Sequence, residues 1–208
     1  MLIAHVVHNP ARPERLKNIL GQSWRNEFTA QLWAAEMNAP TPEAGCVLAH
    51  QRIVVEADRQ NAPWVLIMED DVMFLPSHTN TALEYFLHHM PREFDIYTAG
   101  TYGMAAEWTE TGPRVGRLDR MSGTHCYMVS QRFYKRFMNL PITDHLDILL
   151  SKEAEIYMSL PMSALQLPGH SDIVGKYVDY NSQRFVRYPL FGDVILPNHS
   201  TGRDENTP

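Results

Sequence analysis

The stretch Pro63-Trp64-Val65-Leu66-Ile67-Met68-Glu69-Asp70-Asp71-Val72 constrains the fold more than any other part of the chain. Five apolar residues in a row, bounded by a proline and by three adjacent carboxylates, read as a strand buried on both faces with acids at its exit. In an open α/β sheet, ligands settle outside the carboxyl ends of the strands, so this exit is where chemistry is expected. If strand geometry persists through the acids, Glu69 and Asp71 point to one side and Asp70 to the other, making the i, i+2 pair the usable one. Two carboxylates held together raise each other's pKa unless a cation neutralises them, and hard oxygen ligands suit Mg²⁺, Mn²⁺ or Ca²⁺. Acids directly after a strand also serve as a solvated turn or as the cap of the next helix.

The flanking segments alternate. Leu2 to Val7 reads as a first strand and His8 to Pro13 as its exit loop; Glu14 to Leu20 has the spacing of an amphipathic helix. Arg12 and Arg15 fall on that loop and first turn, placed to meet a diphosphate, or simply solvated. Phe28 to Ala35 suits a second strand. A helix carrying His50 starts near Glu43 and is stopped by Asn61 and Pro63; a lone helical histidine is as compatible with a hydrogen-bonded core position as with a ligand. A third helix is expected over Thr79 to Met90 and a strand over Phe94 to Gly100. Residues 101 to 119 read as a mobile loop or short hairpin, Ser122 to Ser130 as a strand, and Gln131 to Leu140 as a helix ended by Pro141. Asp144 and Asp147 sit at another helix start, where capping would account for either. This alternation predicts an α/β fold with a mainly parallel sheet covered by helices.

With 208 residues, 44% of them hydrophobic, the chain suits one domain over residues 1–200, followed by a short polar, frayed tail at 201–208. A net charge of −6 argues against stable nucleic-acid binding. No run approaches the ~20 apolar residues of a transmembrane helix and the first residues lack a signal-peptide pattern, so a cytoplasmic location is expected. Cys46 and Cys126 lie far apart without C-x-x-C spacing; both read as reduced and buried, with neither zinc site nor disulfide indicated.

Taken in order, several segments resemble glycosyltransferase family 25, the group with lipooligosaccharide and procollagen galactosyltransferases. Arg12-Pro13-Glu14-Arg15-Leu16 is similar to its basic stretch after the first strand, and Glu43-Ala44-Gly45-Cys46-Val47-Leu48-Ala49-His50 resembles its E-x-G-C-x-L-S-H segment, with Ala49 for the usual serine. Val65 to Val72 resembles its apolar E-D-D strand, Asp95 to Gly100 the strand after it, and Gly123 to Ser130 its G-T-x-x-Y-x-x-S segment. The family's P-V-D appears as Pro141-Ile142-Thr143-Asp144, one residue longer, with Asp147 close behind; Leu167 to Ile173 is similar to its S-D-I region.

The resemblance implies a GT-A type fold and metal-dependent, inverting transfer of a hexose, galactose or glucose, from a UDP-sugar to a hydroxyl acceptor on a glycan, lipooligosaccharide or protein. A role in lipopolysaccharide biosynthesis would follow. It implies Mn²⁺ or Mg²⁺ held by Asp71, with Glu69 contacting the metal, a metal-bound water or the ribose, Asp70 in support and His170 as a third protein ligand. Arg12 and Arg15 become diphosphate contacts. Asp144 is the first candidate for the base that takes the acceptor's proton and Asp147 the second. His50 would shape the pocket, and His125 has no catalytic role. A metal-dependent nucleotide-sugar hydrolase and a non-catalytic sugar-nucleotide-binding module are the alternatives.

Overall fold

The structure is a computed structural model and describes residues 2–22, 28–75, 82–102, 108–112 and 114–179. The tail expected at 201–208, the stretch before it from residue 180, and the start of the expected helix at Thr79 lie outside these residues.

The chain opens with β1 (Leu2–His8), α1 (Pro13–Gly21), β2 (Phe28–Ala34), α2 (Pro42–Arg59) and β3 (Trp64–Glu69). Both early helices begin with proline, whose fixed φ and missing N–H suit the first turn. Thr41 caps α2 by accepting from Ala44 N at 3.2 Å. After β3 come β4 (Val72–Phe74), α3 (Ala82–His88), β5 (Ile96–Thr98), the hairpin β6 (Trp108–Gly112) and β7 (Val115–Leu118), and then β8 (Cys126–Ser130). The hairpin occupies part of the stretch expected to be a loop or short hairpin. The chain continues as α4 (Gln131–Met138), α5 (Leu146–Glu153), β9 (Ile156–Ser159), β10 (Ala164–Gln166), β11 (Gly169–Ser171) and β12 (Lys176–Val178).

Eight strands form one sheet in the order β2-β1-β3-β8-β5-β9-β7-β6, six of them running one way and β8 and β7 the other. The α/β class and the mainly parallel central sheet flanked by helices are thus what the sequence leads one to expect. The reversal of β8 has a simple origin. After the β6–β7 hairpin the chain returns over residues 119–125 to the carboxyl end of β5, where Ala99 N donates to Cys126 O at 3.0 Å, so β8, starting from that end, runs back down. Residues 122–125, expected to be strand, therefore stay irregular at the mouth of the sheet.

The period-two alternation of β3 divides the core. Val65 and Ile67 pack with Val47, Ile53 and Val54 of α2, Phe133 and Phe137 of α4, and Leu149 and Leu150 of α5. Leu66 and Met68 face the opposite layer, with Ile19 of α1 and Leu83 and Phe86 of α3. All four residues are essentially inaccessible, which is why the run carries no polar alternation. Burying each stabilises the fold by roughly 1.5–3 kcal/mol.

Two small antiparallel pairs complete the carboxyl edge. β10 pairs with β4 so that Gln166 lies opposite Val72, and Leu167 N donates to Asp71 O at 2.8 Å. The hairpin β11–β12 stands beside the loop after β1. Among the described residues no helix is long and apolar enough to cross a membrane.

Candidate functional site

A cleft of about 750 Å³ opens at the carboxyl ends of β1 and β3. Its walls include Asn9 and Arg15 after β1, residues 35–37 and 39–41 between β2 and α2, the first turns of α2, Thr124 before β8, Asp147 of α5 and Gln166 of β10. Gly45 in α2 is required by close approach, since a Cβ there would lie 2.6 Å from Glu36 O. The N-terminus of α2 thereby sits against the cleft wall, adding a positive field to it.

The three acids take three different environments. β3 ends at Glu69, and Asp70 and Asp71 belong to the turn before β4, so strand alternation does not extend through them. Asp70, nearly inaccessible, accepts from His8 Nδ1 at 2.8 Å, Asn9 N at 3.0 Å and Arg15 Nη1 at 3.3 Å. Arg15 Nη1 also lies 3.3 Å from Asp71 Oδ2. The expected i, i+2 pairing is therefore corrected: the acids that share a cation are the adjacent Asp70 and Asp71, and the cation in contact with both is Arg15. Burial works against the charge of Arg15, but Asp71 and Asp70 outweigh it and hold its pKa above the ordinary value.

Asp71 keeps one oxygen uncommitted. Its Oδ2 accepts from Gln166 Nε2 at 3.2 Å, whereas Oδ1 is buried without a hydrogen-bond partner among the described residues. Gln166 Oε1 is buried and unpartnered as well. Burial raises the Asp71 pKa to about 6, opposed by Arg15. Two orphaned oxygens, one carboxylate and one amide, are the kind of donor set that a hard divalent cation takes, so the residues present fit such an ion. Gln166 has no sequence motif to mark it; only the β10–β4 register brings it to Asp71.

Glu69 turns elsewhere. Its Oε1 accepts from Thr124 Oγ1 at 2.5 Å and lies 3.7 Å from His50 Nε2. Burial, then the charge of Asp71, pushes its pKa up to about 8. His50 is fully buried one helical turn after Cys46; its Nδ1 is 2.7 Å from Tyr127 Oη, the two rings stack, and burial lowers its pKa to about 3. Cys46, expected to be buried, is only half buried and lines the cleft, while Cys126 is buried.

The remaining candidates separate cleanly. Asp147 lines the cleft, with Oδ2 accepting from Gly123 N at 3.0 Å and Oδ1 from Ile148 N at 2.9 Å. Asp144 lies off the cleft wall, bonded to Lys152 Nζ at 3.2 Å and to His145 N at 2.9 Å. The backbone bond from His145 and the bond from Lys152 hold its carboxyl below the ordinary value. Arg12 donates to Asp172 Oδ1 at 2.8 Å and meets His170 Nδ1 at 3.1 Å, and Asp172 also accepts from Asn9 Nδ2 at 2.8 Å. These bonds latch the loop after β1 onto the β11–β12 hairpin. His170 is half exposed beside Arg12 and Asp172, and Asp71, Glu69 and His170 do not converge as a ligand set. His125, expected to have no catalytic role, is buried, its ring stacked with Tyr102.

No family model matches the chain, and no curated protein sequence matches it. Among solved structures the chain is similar to a protein from STIV at a TM-score of 0.47 and 10% identity, covering 82% of this chain and 96% of that one. It is similar to a glycosyltransferase involved in glycosylation of the major capsid of PBCV-1, at a TM-score of 0.42 and 12% identity over 66% of this chain and 63% of that one. A likeness to apo UDP-glucose pyrophosphorylase has a TM-score of 0.39 and 9% identity over 76% of this chain and 72% of that one. Likenesses this distant assign no chemistry, so what the cleft can do has to come from its own residues.

Proposed function

We propose that the chain is a GT-A type glycosyltransferase, similar to family 25, that moves a hexose from a UDP-sugar to a hydroxyl acceptor with inversion. The observation that carries this reading is the buried Oδ1 of Asp71, without a hydrogen-bond partner among the described residues, on a carboxylate whose Oδ2 accepts from Gln166, itself with an unpartnered Oε1, at the carboxyl end of the innermost strand. Together they would hold Mn²⁺ or Mg²⁺, which when bound stabilises the charge that grows on a departing diphosphate.

The chain's own groups support the rest. Asp70, fixed by His8, Asn9 and Arg15, holds the turn that aims Asp71. Arg15 lines the cleft and supplies a permanent positive charge near the diphosphate, and the amino end of α2 adds to that field. Asp147 is the better placed of the two base candidates, because it lines the cleft and Asp144 does not. The amides of Gly123 and Ile148 hold its carboxylate in one orientation, and each oxygen keeps a second lone pair for the acceptor's proton. The nucleophile's proton and the leaving group's charge are thus handled from separate elements, α5 and the β3–β4 turn. A clamp of Arg12 and Asn9 on Asp172 would close the cleft's outer rim.

Incubating the protein and Mn²⁺ with a panel of UDP-hexoses, with and without glycan and hydroxylated-peptide acceptors, tests the reading. Glycosylated acceptor is the expected product. Release of free hexose at the same rate without acceptor would assign hydrolysis instead, and the absence of any turnover together with no binding of UDP-sugars would overturn the proposal.

A further inference from the structure

We propose that Cys46, His50 and Glu69 form a binding site for a zinc-class ion on the cleft wall, separate from the hard-ion position at Asp71. Cys46 and His50 are four residues apart in α2 and so project from one face of the helix, and Glu69 meets them from the end of β3. One ligand atom from each, Sγ, a ring nitrogen and a carboxylate oxygen, comes within 4.8 Å of the other two. A tetrahedral zinc ion with bonds of ~2.0–2.3 Å sets its ligands roughly 3.5 Å apart, so the three atoms need to close by no more than ~1.3 Å.

The imidazole carries the argument. His50 is fully buried, its Nδ1 is occupied by Tyr127 Oη at 2.7 Å, and its Nε2 has no hydrogen-bond partner among the described residues although it lies within 3.7 Å of Glu69 Oε1. In the tautomer with Nδ1–H donating to Tyr127, Nε2 turns its lone pair toward the Glu69 carboxyl, and a metal ion can take the place that a carboxyl proton otherwise fills between them. Tyr127 thus fixes the ring from behind as the outer partner of a metal-bound histidine does. Thr124 Oγ1 holds the carboxylate at 2.5 Å in the same way.

Ligand chemistry separates this site from the first. A thiolate and an imidazole prefer Zn²⁺, Co²⁺ or Cd²⁺ over Mg²⁺ or Mn²⁺, whereas the oxygens of Asp71 and Gln166 have the opposite preference. All three ligands line the cleft, so a three-coordinate ion would keep its fourth position open toward it, as zinc does where it binds a water or a substrate oxygen. Binding requires the thiol and the carboxyl to give up their protons, two protons for one divalent ion. The inference stands apart from sugar transfer and holds whichever donor the cleft takes.

Titrating chelator-stripped protein with Co²⁺ is the test. One equivalent should bring up a near-ultraviolet thiolate-to-cobalt charge-transfer band, which one equivalent of Zn²⁺ displaces and excess Mg²⁺ does not. Cys46→Ser should abolish the band and His50→Gln should weaken Co²⁺ binding at least tenfold, while Asp71→Asn leaves band and affinity in place. A wild-type protein that binds no Co²⁺, a band that survives Cys46→Ser, or one lost in a folded Asp71→Asn variant would overturn the proposal. Because the first of these results needs no variant, misfolding of His50→Gln would not protect it.

Discussion

Replacing Glu69 by glutamine should change how stability depends on pH, and the sign follows from its burial. The carboxyl rises from an ordinary value of 4.5 to about 8 in the folded chain. Below pH 4.5 both folded and unfolded chains carry the proton, and the residue contributes no pH dependence. Between there and pH 8 the unfolded chain has lost a proton that the folded chain retains, so stability falls as pH rises. At ~1.4 kcal/mol per pH unit the whole interval amounts to ~5 kcal/mol. That is an upper figure, because the Glu69 side chain keeps 21% of its exposure and shares its electrostatics with Asp71. Solvent screening brings the expectation to ~2–3 kcal/mol. His50 and His125, whose pKa values burial lowers to about 3 and about 4, act the other way below pH 6.5, but they are common to both chains and cancel in the comparison. Urea unfolding at pH 5, 6, 7 and 8 in the presence of a chelator should therefore show the glutamine variant gaining ~2–3 kcal/mol on the wild type as pH rises. Parallel curves for the two chains would refute the claim that Glu69 is held in a dry, negatively charged environment.

Asp70→Ala strips a buried carboxylate from His8, Asn9 and Arg15, and should cost about 3 kcal/mol or more in urea unfolding; a loss below ~1 kcal/mol would remove Asp70 as the anchor of the turn. Gly123 has φ +85°, and a Cβ there would meet the Tyr102 ring at 2.2 Å. Gly123→Ala should thus cost ~2–4 kcal/mol, from left-handed backbone and overpacking together, read as a drop of roughly 5–10 °C in melting temperature. Asp147→Asn should lower kcat by ~10²–10⁴ and leave UDP-sugar affinity unchanged, as kinetics and calorimetry would show; an equal loss from Asp144→Asn alone would reverse the assignment of the base.

The sequence carried the scaffold further than the site. The apolar run of β3 is legible because both of its faces are buried, and the proline and Thr41 at the start of α2 mark a helix by their own conformational preferences. The reversed β8 is not legible, because periodicity says that a segment is extended without saying which way it runs. The same limit applies to the acids. Alternation predicts Glu69 and Asp71 on one side, but the strand stops at Glu69 and the turn delivers Asp70 and Asp71 together to Arg15. Arg12, assigned to the diphosphate, bonds both Asp172 and His170, the residue assigned to the metal, a pairing across 158 residues that no local pattern encodes. Gln166 and Thr124 have the same history: each reaches its acid through a strand register or a loop return. Cys46 and His50 do share a helix face by spacing alone, but Glu69 joins them only through the packing of α2 on β3, so the absence of a C-x-x-C motif is no guide to that cluster.

Calorimetric titration of UDP into the wild type and into Asp71→Asn, each with and without Mn²⁺, addresses the uncommitted carboxylate oxygen most directly. Mn²⁺ should tighten UDP binding by the wild type at least tenfold, ~1.4 kcal/mol, and should have no effect on the variant while its fold and its weak metal-free affinity persist. The same Mn²⁺ enhancement in both proteins would place the ion somewhere other than Asp71 and contradict the account.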